Sequence, residues 1–169
     1  MNILVTGGAG YIGAHAVRQL IQAGHGVVVI DNLTTGKKNN LPDSVELVEA
    51  DFVDLKALKQ IFSKSSKLPI DAVMHFAASI DLNESIEKPL EYLENNTLKT
   101  AVLVQVMLEH GVTKLIFSST AAIYGRQEIM PIPETAKGSD LAPYGLSKQL
   151  SEDLIKAYSQ SAGLDCIVF

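Results

Sequence analysis

The chain has 169 residues, 47% of them hydrophobic and 20% charged, with a formal net charge of -5 and a single cysteine, Cys166. That length gives one domain with a sizeable core, in a composition ordinary for a soluble globular protein. The acidic balance, with no basic run longer than Lys37-Lys38, excludes nucleic acid as an expected partner, and one cysteine excludes an internal disulfide framework.

No apolar run reaches the length of a membrane span and the first residues lead straight into a strand, so neither membrane nor leader is expected and the location is expected to be cytoplasmic. Cys166 lies in the apolar stretch Leu164 to Phe169 and reads as a buried core thiol.

The first strand, Asn2 to Thr6, runs into Gly7-Gly8-Ala9-Gly10-Tyr11-Ile12-Gly13, and a helix follows from about Tyr11 to Ala23. Glycines on a strand-to-helix turn put free N–H groups and the positive end of a helix where a phosphate can meet them. Gly7 permits the tight turn, Gly10 lets the backbone approach a pyrophosphate, and Gly13 lets helix and strand pack closely. Gly24 stops the helix. A second strand, Gly26 to Asp31, ends in an acid roughly 20 residues past the motif, where a dinucleotide site places a carboxylate for the ribose hydroxyls. An acid there repels a 2′-phosphate, so NAD is favoured over NADP.

A polar loop, Asn32 to Ser44, includes Thr35 and Gly36. A third strand covers Val45 to Glu49 and leads through Asp51-Phe52 to a helix from about Asp54, its N-cap, to Ser65. The fourth strand, Ile70 to Phe76, exits through Ala77-Ala78-Ser79, small residues that let a backbone lie against a ligand. A short turn near Leu82 to Lys88 precedes a long helix from about Leu90 to His110, capped by Gly111. The fifth strand, Lys114 to Ser119, exits into Thr120. A loop from Arg126 to Ala142 is long enough to suggest function. Pro143-Tyr144 opens a helix to about Ser161, Gly163 ends it, and a sixth strand follows. Six parallel strands with crossover helices on both faces predict a doubly wound α/β sheet, Rossmann-like, in the order 3-2-1-4-5-6. Its ligand edge would gather Gly7 to Gly13, Asp31, Asp51, Phe76 to Ser79 and Ser118 to Thr120.

Tyr144 and Lys148 are four apart, so both reach one spot on a helix face. A neighbouring ammonium favours the phenolate and would make the tyrosine a general base for an alcohol. Thr120 can hydrogen-bond the same oxygen. By itself, Tyr-x-x-x-Lys is equally the pattern of two surface residues on an amphipathic helix.

These elements together resemble the extended short-chain dehydrogenase/reductase superfamily. Asp31-Asn32-Leu33, His75-Phe76-Ala77-Ala78, Glu84-Ser85 before Pro89-Leu90, Asn95-Asn96, Phe117-Ser118-Ser119, Ile123-Tyr124-Gly125 and Pro143-Tyr144-Gly145 narrow the resemblance to its UDP-glucose 4-epimerases, over essentially the whole chain. The resemblance implies NAD as a tightly held cofactor and epimerisation at C4 of a UDP-hexose through a 4-keto sugar, in galactose metabolism. It implies Thr120, Tyr144 and Lys148 as catalytic residues, with Thr120 and Tyr144 also touching substrate. The cofactor contacts it implies are Gly7, Gly10, Tyr11, Ile12, Gly13, Asp31, Asn32, Thr35, Gly36, Asp51, Phe52, Phe76, Ala77, Ala78, Asn96, Ser118, Tyr144 and Lys148; no metal is implied.

The sequence departs from the resemblance at Thr120, where many relatives have serine, and at Ile80, where some place a lysine; the acid next to it, Asp81, has no evident role. His75 reads as a core residue or one behind the site. Of the long helix, Leu98, Val102 and Val106 with Ala101 and Leu108 are expected to face the core, with part left for a second copy, as relatives dimerise through this helix and the one bearing Tyr144. The chain stops on an apolar strand and is expected to be the NAD-binding domain, residues 1–169, of a longer protein whose C-terminal substrate domain is absent and without which this piece is inactive. Rival readings are a uronate or pentose epimerase, a dehydratase (disfavoured by Ala121-Ala122 where those enzymes carry an acid pair), and a non-catalytic NAD-binding fragment or regulator.

Overall fold

The computed structural model describes residues 1–63, 68–136 and 138–169. Six parallel strands form one sheet: β1 (Asn2–Thr6), β2 (Gly26–Asp31), β3 (Glu46–Glu49), β4 (Ala72–His75), β5 (Lys114–Phe117) and β6 (Asp165–Val168), in the order β3-β2-β1-β4-β5-β6. This is the order expected from alternating strands and helices. The register pairs Val5 with Val29 and Met74, so β1 sits at the centre with both faces covered. Leu4 and Val5 are accordingly both fully buried, each contributing about 2 kcal/mol of apolar burial.

Helices join the strands: α1 (Tyr11–Gln22), α2 (Leu55–Ile61), α3 (Leu82–Glu87), α4 (Pro89–Tyr92), α5 (Lys99–Glu109) and α6 (Pro143–Ala162). Gly24, Gly111 and Gly163 follow α1, α5 and α6, as the sequence predicts, with φ of 81°, 76° and 70°, the left-handed conformation glycine adopts without strain. Asp54 caps α2 through Lys56 N and Ala57 N, as expected. α2 ends at Ile61, with Phe62 as its C-cap, short of the expected Ser65; Lys64 and Ser65 lie outside the described residues, as does Lys137 in the loop before α6.

Three local differences from expectation have physical reasons. The segment Leu82 to Lys88 is a helix rather than a turn, because Asp81 caps it, accepting from Asn83 N at 2.8 Å and Glu84 N at 2.9 Å. That gives Asp81 its role. The long helix is interrupted by a π-helical turn, Leu93–Leu98, between α4 and α5. The wider turn directs both Asn96 and Thr97 toward α6, where they bond Ser147.

The third difference is in what is buried. On α5 the core face is Thr100, Leu103, Val104, Val106 and Met107, whereas Leu98 and Val102 are exposed, because the π turn rotates the apolar stripe. β6 is an edge strand, so Cys166 is half-buried rather than fully enclosed and Ile167 is exposed.

The core has two layers. One face of the sheet, with Leu4, Ile30, Val73, Leu115 and Phe117, packs against α2, α5 and α6 through Leu58, Leu103 and Ile155. The other, with Ile3, Val5, Val27 and Val29, packs against Val17, Leu20 and Ile21 of α1. The glycine turn, Asp31, Asp51, Phe76 to Ser79 and Ser118 to Thr120 lie at or just past the carboxyl ends of β1 to β5.

Candidate active site

The glycine turn is built as its spacing requires. Gly7 has a φ of 68°, and a Cβ there would lie 2.6 Å from Ala77 N, so β1 and β4 exit side by side only with glycine. A Cβ on Gly13 would run into the Gly7 carbonyl and come 2.8 Å from Gly8 Cα, which is the close helix-to-strand packing expected. Gly10 differs: a Cβ would press on a single atom, Gly7 O at 3.3 Å, and nothing else crowds that side of the turn. Gly8, whose role the spacing does not reveal, packs against the Val29 side chain.

Gly10 is also the N-cap of α1 with no side-chain hydrogen bond, and the first turn carries no acid. By contrast α2 and α3 each have an aspartate there. The start of α1 thus offers backbone donors and the positive end of a helix to an outside anion. Tyr11 and Ile12, the first residues of α1, are exposed at this edge, with the Tyr11 ring against His15.

Asp31 is buried at the end of β2 and holds the surrounding loops. Its Oδ2 accepts Ala9 N at 2.9 Å and its Oδ1 accepts Leu33 N at 2.8 Å. One acceptor site on each oxygen is left for a hydroxyl. The loop after β2 is strapped to the glycine turn through Lys37 N and Asn40 Nδ2, both donating to Ala9 O. Asn32 and Thr35 are exposed on this loop, and Gly36 is buried, its Cβ position 2.9 Å from Ala9 Cβ, so the loop packs closely on the glycine turn there.

Beyond β3, Asp51 pairs with Lys99 of α5, Nζ to Oδ2 at 2.6 Å, while its Oδ1 accepts Val53 N. Nothing in the sequence spacing links these two residues, which are brought together only by the crossover. The Phe52 ring is in the core, its centroid 5.0 Å from that of the His75 ring, so only its backbone is left to meet a ligand. Asn96 is almost fully buried, donating from Nδ2 to Ser79 O and Ser147 Oγ and accepting Ser79 N at Oδ1, so its side chain ties the β4 exit to α6.

Phe76, Ala77 and Ala78, directly before Ser79, are half-buried along the crevice. Behind them His75 is buried between Thr6 Oγ1, at 2.5 Å from Nδ1, and Thr100 Oγ1, at 2.9 Å from Nε2. Thr100 donates its own hydroxyl to Asn96 O, so it accepts from Nε2–H and Nδ1 accepts from Thr6. Burial, and then the nearby Lys148 charge, push the His75 pKa down to about 3. The ring is therefore a neutral structural link, as the sequence suggested.

Ser118, half-buried, bonds His75 O through its backbone. Thr120 opens a 3-10 turn, Ala121–Tyr124, its Oγ1 accepting Ala122 N. That turn is pressed against the start of α6: a Cβ at Gly145 would lie 2.6 Å from Ala122 O. Gly145 thereby sets how closely the helix carrying Tyr144 approaches the segment carrying Thr120. The Tyr144 ring takes an edge-on contact from Tyr92, whose hydroxyl donates to Glu84 Oε2. Four residues on, Lys148 is 3% exposed, its Nζ 4.0 Å from the centroid of the Phe117 ring. Burial lowers its pKa to about 8, against the raising effect of Glu152. It makes no hydrogen bond or ion pair among the described residues.

The crevice thus combines an anion seat at one end, a carboxylate for hydroxyl groups beside it, and a Thr-Tyr-Lys set at the other. The profile of the NAD dependent epimerase/dehydratase family matches residues 3–169. The chain belongs to this family. It is 42% identical over 167 residues to a UDP-glucose 4-epimerase of Azospirillum brasilense, covering 99% of this chain and 47% of that protein. It is 39% identical over 176 residues to UDP-arabinose 4-epimerase 1 of Arabidopsis thaliana, covering 99% of this chain and 41% of the relative. The crystal structure of the Thermus thermophilus UDP-glucose 4-epimerase in complex with NAD superposes with a TM-score of 0.91 at 37% identity, covering 99% of this chain and 54% of that one. The chain spans about half the length of the relatives it matches.

Proposed function

We propose that residues 1–169 are the NAD-binding domain of an enzyme that interconverts UDP-glucose and UDP-galactose by epimerisation at C4. The observation that carries the reading is the Lys148 ammonium, nearly buried at the crevice and with no acceptor of its own, four residues from Tyr144. A ribose diol would supply those acceptors. The open side of Gly10, the uncapped start of α1 and the spare lone pairs of Asp31 fit the pyrophosphate and the second ribose of the same cofactor. Asp31 also repels the extra phosphate of NADP.

NAD, held by the glycine turn, Asp31 and Lys148, would supply the hydride acceptor and donor for sugar C4. Tyr144 as phenolate takes the proton of the 4-hydroxyl and later returns it, and Thr120 hydrogen-bonds the same oxygen. The positive charge of Lys148 favours the phenolate form in which Tyr144 can accept that proton. Ala121-Ala122 after Thr120 offer no acid for eliminating water, against a dehydratase. A UDP-pentose substrate is the second reading, favoured by the UDP-arabinose 4-epimerase among the relatives.

The relatives are about twice as long, which supports a separate substrate domain and little turnover from this piece alone. The exposed Leu98 and Val102 of α5 and Leu146 and Leu150 of α6 support a homodimer through these two helices. We place the protein in the cytoplasm; no helix among the described residues is long and apolar enough to cross a membrane.

The test is a coupled assay on the full-length protein, following UDP-galactose conversion without added NAD. Turnover that disappears in Tyr144→Phe supports the reading. Retained NAD with no turnover of UDP-galactose moves it to another UDP-sugar. On the chain alone, micromolar binding of UDP-glucose by calorimetry would overturn the assignment of the substrate site to a second domain.

A further inference from the structure

Glu152 lies on α6 one turn beyond Lys148, two turns beyond Tyr144, so the three share a stripe of the helix. It is half-buried, and its Oε1 accepts a short hydrogen bond from Ser119 Oγ at the exit of β5. Ser119 is itself fixed, its N–H donating to Phe169 O at 2.8 Å. The residue after it is Thr120. One side-chain bond therefore ties the strand exit that carries Thr120 to the helix that carries Tyr144 and Lys148.

We propose that Glu152 is a positioning residue for Lys148, held in that role by the Ser119 hydroxyl. The Lys148 ammonium is enclosed, with the Phe117 ring as its contact from β5 and no carboxylate within ion-pair distance among the described residues. A cation so placed tends to lose its proton, and a neutral amine would neither attract a ribose hydroxyl as strongly nor favour a phenolate at Tyr144. His75 from β4 is neutral, its ring bonded to Thr6 and Thr100, and the cation of α5, Lys99, is paired with Asp51. On α6 itself stand Tyr144 and Glu152. Glu152 is the negative charge that acts on Lys148, and its bond to Ser119 stops the carboxylate from swinging into solvent.

The inference concerns Lys148 in the ligand-free chain. It adds to the functional reading above but is tested without it, so the failure of either is recognisable by itself. The experiment follows the Lys148 Cε and Nζ resonances against pH in the chain labelled on lysine, assigned by their loss in Lys148→Met. One unit charge about 6 Å away moves a titration by about half a unit under water-like screening and by about two units under protein-like screening. Glu152→Gln is expected to lower the Lys148 midpoint by an amount in that range, Ser119→Ala to lower it less, and Glu152→Asp to restore part of it. A midpoint unchanged in Glu152→Gln, with a native amide spectrum, overturns the proposal. Should Glu152→Gln not fold, unchanged midpoints in both Ser119→Ala and Glu152→Asp overturn it equally.

Discussion

The Lys148 ammonium sits 4.0 Å from the centre of the Phe117 ring, at a position 3% exposed to solvent. A cation–π contact recovers part of the hydration lost there, but burial still lowers its pKa to about 8. The lysine is charged in both folded and unfolded chains below that value, so the fold bears the desolvation cost in full. That cost shrinks as pH rises from about 8 to about 10.5, where the unfolded chain still binds the proton. Lys148→Met should thus stabilise the chain by about 2 kcal/mol at neutral pH, with the gain fading above pH ~8. Urea unfolding across that range checks it; a destabilised variant would show that the ammonium has bonds the fold depends on.

His75 gives the opposite end of the pH scale. Its folded pKa of about 3 lies below its ordinary 6.5, so on acidification the unfolded chain takes up a proton that the folded chain refuses. Stability from this group is complete above pH ~6.5 and falls by up to about 1.4 kcal/mol per pH unit toward pH ~3. In His75→Gln, denaturant midpoints measured between these limits should show a shallower acid slope. An identical slope would place the acid sensitivity in other groups.

Gly7 and Gly10 separate fold from binding. An alanine at Gly7 requires both an unfavourable φ of 68° and a Cβ 2.6 Å from Ala77 N, and should cost about 2–3 kcal/mol. At Gly10 the φ is -73° and an added Cβ would meet one atom, Gly7 O, at 3.3 Å. Gly10→Ala should stay within about 1 kcal/mol of the parent in stability while losing at least about tenfold in NAD affinity. Thermal melts and calorimetry on both variants decide it; a Gly10→Ala chain that binds NAD normally would remove Gly10 from the binding surface.

Asp81 caps α3 through two backbone donors. Asp81→Ala should cost about 1 kcal/mol, with Asp81→Asn close to the parent because asparagine caps as well. Chemical unfolding of the three chains is the check, and equal stability of all three would mean that α3 does not need its cap.

The sheet order and the glycine turn were legible because they follow from local patterns: apolar strands of four to six residues, glycines at fixed offsets, an acid at the end of β2. The pairing of Tyr144 with Lys148 was legible for the same reason, since both lie on one helix. What could not be read were contacts between elements. Lys99 meets Asp51, Glu152 meets Ser119 and Asn96 meets Ser147 across long stretches of chain, and no spacing rule links them. The packing of the Phe52 ring against His75 and of Gly36 against Ala9 was equally hidden, since neither follows from spacing along the chain. The π turn was hidden too, because one extra residue in a helical turn leaves the apolar pattern almost intact while rotating Leu98 and Val102 outward.

The central claim, that the crevice from Gly7 to Lys148 seats NAD, is tested most directly by titrating the chain with NAD and with NADP in a calorimeter. The account predicts saturable binding of one NAD per chain, weaker binding of NADP because of Asp31, and loss of NAD affinity in Lys148→Met. A folded chain that binds neither nucleotide, or that binds NADP as tightly as NAD, would contradict it.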